Sequence, residues 1–161
     1  MTSETRNKIG LGLLAAAFAF LVIVITAVLW FGEKSPADPD NAQQVARGKS
    51  VYAQYCMACH GARLEGQPNW RERLASGRMP APPHDASGHT WHHPDAMLFG
   101  MTKYGLVPGK YAPPGYQSDM PAFDGTLSDE ETWAVLAYIK SSWPSDIRRA
   151  QQEVTLKQNR R

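Results

Sequence analysis

The chain has only two cysteines, Cys56 and Cys59, in 161 residues. Two are too few for a disulfide framework, so the fold is not that of a stapled secreted scaffold. No internal repeat and no alternating strand pattern is visible, which argues against repeat and sheet-based architectures. Strong charge is missing too. The formal net charge of +2 gives no global lean toward nucleic acid. The balance is nevertheless uneven. Residues 33–147 carry 10 Lys and Arg against 13 Asp and Glu, while Arg148, Arg149, Lys157, Arg160 and Arg161 meet only Glu153. The body is therefore mildly acidic and the end is basic. Long apolar runs are absent, with one exception near the start.

That exception is residues 9–31, which contain no charged side chain. At about 1.5 Å per residue, a helix of this length crosses an apolar layer of about 30 Å. Arg6 and Lys8 precede the run, and Trp30 stands at its far end, where interfacial aromatics are favoured. The positive-inside rule then puts residues 1–8 in the cytoplasm and everything after Gly32 outside. A cleaved signal peptide would have an apolar region of about 7–15 residues and a small-x-small cleavage site. Trp30-Phe31-Gly32-Glu33-Lys34 is a poor cleavage context, so the reading is an uncleaved anchor. A buried core helix would have a polar face, and this run has none. Residues 32–41, with Pro36 and Pro39, read as an extended linker on which the following domain can swing.

The two cysteines fall in Cys56-Met57-Ala58-Cys59-His60, the pattern of a covalent haem attachment site. Two thiols on one helical turn can each add to a haem vinyl group. The His that follows lies under the iron and supplies an axial imidazole. A zinc half-site would want a second ligand pair, and His89 with His92 or His93 lies too far on for a finger. A dithiol redox site would want a βαβ context, which is missing. Thioether bonds use both cysteines and staple a small domain whose own apolar burial is modest.

Three helix starts are legible around this motif. Asp40 or Asn41 can cap a helix through residues 42–52 that reaches the cysteines, with Val45, Gly48, Val51, Tyr52 and Tyr55 near one face. Pro94-Asp95 opens a second helix. Ser128-Asp129-Glu130-Glu131 is a capping box for a third, running to about Ser142 before Pro144. Residues 105–127 hold eight glycines and prolines and read as a loop ordered only against something large and flat. After residue 145 the chain reads as a polar, basic tail, 146–161, partly helical or a solvated end.

Taken together, these residues resemble class I c-type cytochromes of the single-haem, membrane-anchored bacterial kind, over residues 42–144. Gly48 and Tyr52 with the haem motif, Asp119-Met120-Pro121-Ala122-Phe123, and Leu127-Ser128-Asp129-Glu130-Glu131 leading into Trp133 through Ile139 carry the resemblance. It implies an all-α fold of three to five helices around one covalent haem c, here with one N-terminal transmembrane helix. The domain boundaries expected are 1–8, 9–31, 32–41, 42–145 and 146–161. It implies that the first and last helices of the domain cross, with Gly48 at the crossing and Tyr138 packed on it. An insert at 71–93, rich in Arg, Pro and His, departs from the family pattern.

The iron needs a second axial ligand opposite His60. Met57 lies inside the attachment motif, Met97 and Met101 fall at core spacing on a helix, and Met79-Pro80-Ala81 follows His60 closely. Met120 stands in a proline-flanked loop eight residues before the last cap, as the family's ligand does, and is the residue expected. Thioether ligation favours ferrous iron and raises the potential, and two protein ligands leave substrate no ready place. Pro68 resembles the proline whose carbonyl orients the proximal imidazole. Arg71, Arg73, Arg78, Trp91 and Tyr104 are candidate donors to the haem carboxylates. The cluster His84, His89, His92 and His93 reads as surface or carboxylate-bonding histidines rather than a copper or zinc site.

The resemblance implies an electron carrier, not an enzyme. It would shuttle between redox proteins of a respiratory chain, such as a quinol-oxidising complex and a terminal oxidase or reductase. It would be tethered to the outer (periplasmic) side of a bacterial cytoplasmic membrane and bind no nucleic acid and no small-molecule substrate. A fixed subunit of an oxidase or dehydrogenase complex is the alternative. A haem enzyme or gas sensor with an open distal site is a third reading.

Overall fold

The structure, a computed structural model, describes residues 16–24 and 35–160. It divides into two units, residues 1–34 and 35–161. In the first, residues 16–24 are helical and expose Phe18, Phe20 and Leu21. The rest of the expected anchor, 9–15 and 25–31, lies outside the described residues. Among the described residues, no helix is long and apolar enough to cross a membrane.

The second unit is helical. Its five α-helices are α1 (Ala42–Tyr55), α2 (Met57–His60), α3 (Asp95–Tyr104), α4 (Asp129–Ser141) and α5 (Ser145–Asn159), with a 3₁₀ turn at Thr90–His92. Extended pairing among the described residues is limited to isolated bridges at Met79–Ser118 and Pro108–Ala112. The helix starts follow the sequence signals. Asn41 Oδ1 accepts from the Gln44 N–H at 3.0 Å and so caps α1. At α4 both arms of the capping box form: Glu131 N–H donates to Ser128 Oγ, and Ser128 N–H to the Glu131 carboxylate.

α1 crosses α4 at Gly48, as the resemblance implied. A Cβ on Gly48 would stand 1.9 Å from the Ala134 carbonyl oxygen and 3.0 Å from Tyr138 Cβ, so no side chain fits the contact. Beside it the Tyr52 and Tyr138 rings lie 5.3 Å apart. Val51, Tyr52, Leu64, Phe123, Leu127, Val135, Ile139 and Trp143 form one core cluster. Leu98, Leu136, Ala137 and Ala37 form a second, flanked by the stacked Phe99 and Trp133 rings at 4.3 Å. α4 serves both clusters and is the central helix.

Two expected boundaries shift. Residues 35–41 are not free linker: Ala37 is fully buried, and Gln44 Nε2 donates to the Pro36 carbonyl at 2.7 Å. Of the tail expected to be partly helical or solvated, the described part is helical: α5 docks on the domain and buries Gln151 completely. Both ends meet one buried ion pair. Lys140 Nζ lies 2.9 Å from Asp95 Oδ1, with both side chains almost fully enclosed. The same carboxylate accepts from the Ser35 hydroxyl and, at 2.7 Å, from Gln151 Nε2. Thr155 Oγ1 accepts from Asp95 N–H at 3.1 Å. The carboxylate thus keeps several donors after leaving water, the condition for a tolerable buried charge.

Candidate functional site

α1 ends at Tyr55 and hands the chain to the Cys56–His60 turn. Cys56, Cys59 and His60 all line one cavity of about 860 Å³, walled mostly by apolar side chains. Cys59 is exposed and Cys56 half-buried. Burial first, and the neighbouring Cys59 second, push the Cys56 thiol up to about 11.

His60 is buried, and its ring Nδ1 lies 2.9 Å from the Pro82 carbonyl. A carbonyl only accepts, so Nδ1 carries the proton and donates, leaving Nε2 with its lone pair. Burial lowers the His60 pKa, against the opposing pull of the Pro82 hydrogen bond. The ring is therefore held neutral, the form that ligates a metal. Behind it the Tyr52 hydroxyl donates to the Gly61 carbonyl at 2.9 Å, and Gly66 N–H donates to the His60 carbonyl at 2.8 Å. The Tyr52 pKa is raised, chiefly by burial, so the hydroxyl keeps its proton.

The orienting carbonyl is that of Pro82 and not, as expected, of Pro68, which is exposed. The reason is the insert. Gln67 N–H donates to the Ala81 carbonyl at 2.9 Å, and Ala81 N–H returns to Gln67 Oε1 at 2.8 Å. Residues 68–80 are thus an excursion closed at its base, and the chain reaches His60 only on its way back. Gly66, at φ 68°, sits against this return; a Cβ there would come 2.4 Å from Pro83 N.

The insert also supplies a polar stretch of wall. Trp70 and His89 stack at 5.1 Å, and His93 meets His89 edge-on at 5.5 Å; all three line the cavity. Burial leads the lowering of both the His89 and His93 pKa values. His84 stacks on His60 at 4.0 Å, shares its side of the cavity, and bonds Thr90 Oγ1 through Nδ1 at 3.0 Å. Among the described residues, no group of three or more His, Cys, Asp or Glu is placed to hold a metal ion.

The expected carboxylate donors fare differently. Arg71, Trp91 and Tyr104 do not line the cavity. Arg71 lies one layer back, its guanidinium 4.0 Å over the Trp70 ring. Trp91 packs against the core with a buried, unpartnered Nε1. Tyr104 is half-exposed and stacks on Tyr111, which does reach the wall. Arg73 donates to the Gly77 carbonyl, and Arg78 pairs with Asp119. Of the histidines read as surface or carboxylate-bonding, His84, His89 and His93 line the wall, and the wall donors the sequence reading missed are Trp70, Tyr111 and Tyr116. A signal for Pro82 was present in the Met79-Pro80-Ala81-Pro82-Pro83 run, which stiffens the return strand.

Met120 lines the same cavity, as do Met79, Met97 and Met101, whereas Met57 does not. Two thiols and a neutral, oriented imidazole on the wall of an apolar cavity are the donor set a covalently bound haem requires. Trp70, His89, His93, Tyr111 and Tyr116 would offer ring N–H and hydroxyl donors to its carboxylates.

A family model described as Cytochrome c matches residues 45–143. No curated protein and no solved structure matches the chain. The matched segment contains the attachment motif, the Gly48 crossing, the Pro82 carbonyl and the Met120 loop, and it spans more than half of the sequence. The chain belongs to the cytochrome c family, an electron-transfer haem protein that binds covalent haem c through Cys56 and Cys59.

Proposed function

We propose that this cytochrome is a membrane-tethered one-electron carrier with His60 and Met120 as axial ligands. The carrying observation is the pairing of His60, its ring oriented by the Pro82 carbonyl, with Met120 on the same cavity wall. Haem c, when bound, supplies a one-electron iron couple. Cys56 and Cys59 hold it, His60 presents Nε2, and the apolar wall around Val135, Leu136 and Ile139 excludes water. Met79 is the less suitable thioether, because it lies three residues from Pro82 and so beside the support of His60. Met97 and Met101 are carried on α3, whose backbone is fixed by its own helix.

Rigid supports on His60 keep the site nearly unchanged between oxidation states, which suits transfer of an electron rather than chemistry on a substrate. The apolar run at residues 9–31 supports a tether, and the basic flank Arg6 and Lys8 supports a domain outside the cytoplasm. Partners would be respiratory redox proteins, met at raised effective concentration in the membrane plane.

The ferric spectrum tests the ligand set. A weak far-red band from a sulfur–iron bond, lost in Met120→Ala, bears it out. Its absence, with ready carbon monoxide binding by the ferrous protein, replaces the reading with an open-site enzyme or sensor. Retention of the full chain in the membrane fraction through an alkaline wash tests the tether.

A further inference from the structure

The loop that carries Met120 is fixed from both sides. Downstream, Phe123 N–H donates to the Thr102 carbonyl at 3.2 Å and Asp124 N–H to the Lys103 carbonyl at 2.8 Å, at the end of α3. Upstream, a turn from the Tyr116 N–H to the Pro113 carbonyl at 3.1 Å is joined by anchors from the insert. Met79 N–H donates to the Gln117 carbonyl at 2.9 Å, within the Met79–Ser118 bridge. Arg78 Nη1 reaches the Ser118 carbonyl at 2.9 Å and Asp119 Oδ1 at 2.7 Å. Ser118 Oγ in turn accepts from Met120 N–H at 3.1 Å. The segment 78–82 then ends on Pro82, whose carbonyl holds His60.

We propose that Arg78 is a positioning residue: it clasps the Met120 loop to the segment 78–82 that orients His60 and so keeps the Met120 sulfur on the iron. The proposal rests on the reading of Met120 as ligand. Both contacts run through the one nitrogen Nη1, whose two N–H bonds point in directions fixed by the planar guanidinium; the freely rotating ammonium of a lysine holds such a pair of acceptors less firmly. The pair is half-exposed, at 46% and 71%, and an ion pair that open contributes little alone. The clasp draws its strength from joining the pair to a backbone acceptor and to the adjoining bridge. With Arg78 gone, residues 117–122 can open locally while the helices stay folded.

The experiment uses the full-length, haem-loaded protein and four variants: Arg78→Ala, Arg78→Lys, Asp119→Asn and Met120→Ala. The readouts are the far-red band against temperature and the affinity for added imidazole, which enters only when the sulfur leaves. Helical circular dichroism is the control. Apparent affinity follows the open fraction, so Arg78→Ala is expected to bind imidazole about tenfold more tightly. Its far-red band should fade at lower temperature while helix melting barely moves. Arg78→Lys should recover part of the difference, and Asp119→Asn should shift affinity about threefold. If Arg78→Ala fails to take up haem, Asp119→Asn decides the matter. A far-red band and an imidazole affinity unchanged in Arg78→Ala, or in Asp119→Asn where that variant decides, overturn the clasp and leave Met120 standing. A wild-type protein without the band, indifferent to Met120→Ala, overturns the ligand reading and the clasp with it.

Discussion

Gly48 and Ala134 touch backbone to backbone: a Cβ on Gly48 would stand 1.9 Å from the Ala134 carbonyl oxygen. Intrinsic propensity alone would make Gly48→Ala stabilising by about 1 kcal/mol in a helix interior. The contact reverses the sign, because the obstructing atom is backbone and cannot rotate away. Gly48→Ala should lose about 1–3 kcal/mol, the usual range for overpacking. Denaturant unfolding of the haem-loaded protein reads it, and a gain in stability would contradict the crossing.

The buried Lys140–Asp95 pair makes a second prediction. Lys140→Met strands a carboxylate that keeps only Ser35 and Gln151 as side-chain donors. Loss of one partner of an enclosed pair costs about 3–5 kcal/mol. Asp95→Asn combined with Lys140→Met should cost less than the sum of the single changes, since no lone charge remains. Additive losses in a double-mutant cycle would mean that the two side chains act separately.

Acid should weaken the start of α4. The Ser128 N–H, the largest cause, and the Arg47 guanidinium hold the Glu131 carboxyl below its usual 4.5. A carboxyl with a depressed pKa in the folded state stabilises above its unfolded pKa and stops doing so as pH falls through the folded one. Wild type should therefore melt above Glu131→Gln by a constant margin from about pH 5 upward. That margin should shrink as the pH drops below the ordinary carboxylate range. A margin independent of pH would show that the charge has no part in the cap.

Covalent attachment has a direct assay. Haem should stay with the wild-type chain through denaturation and acid–acetone extraction. Replacing Cys56 and Cys59 together by Ala should release it under the same treatment, while His60 remains.

The sequence carried much of this plainly. Ser128 with Glu131, Asn41 and Pro94 mark helix starts because they satisfy or lack local N–H groups, which is short-range chemistry. Cys56, Cys59 and His60 form one contiguous motif. Gly48 needed the family resemblance, since a lone glycine in a helix announces no neighbour. Pro82 was hidden because its distance from His60 depends on the Gln67–Ala81 closure, a tertiary event that spacing along the chain does not encode. Trp70 and His89 are likewise joined only after the excursion folds back. α5 was hidden for a different reason: its fully buried position, Gln151, is polar and satisfies an ion pair, and beside it only Ile147, Ala150 and Val154 make a thin apolar edge.

The Asp95 carboxylate gathers contacts from both ends of the domain, and this sets an order of events during synthesis. Ser35 and the Cys56–His60 turn leave the ribosome before Asp95. Lys140 follows Asp95 by 45 residues, and Gln151 by 56. The carboxylate therefore cannot gather all its partners until residue 151 is made. The thiols, by contrast, are made early, and Cys59 stays exposed even in the finished fold. The making of the thiols and the closing of the carboxylate are thus separated in the order of synthesis. A nascent chain halted before residue 140 would offer its cysteines to the attachment machinery in a domain that has not yet shut.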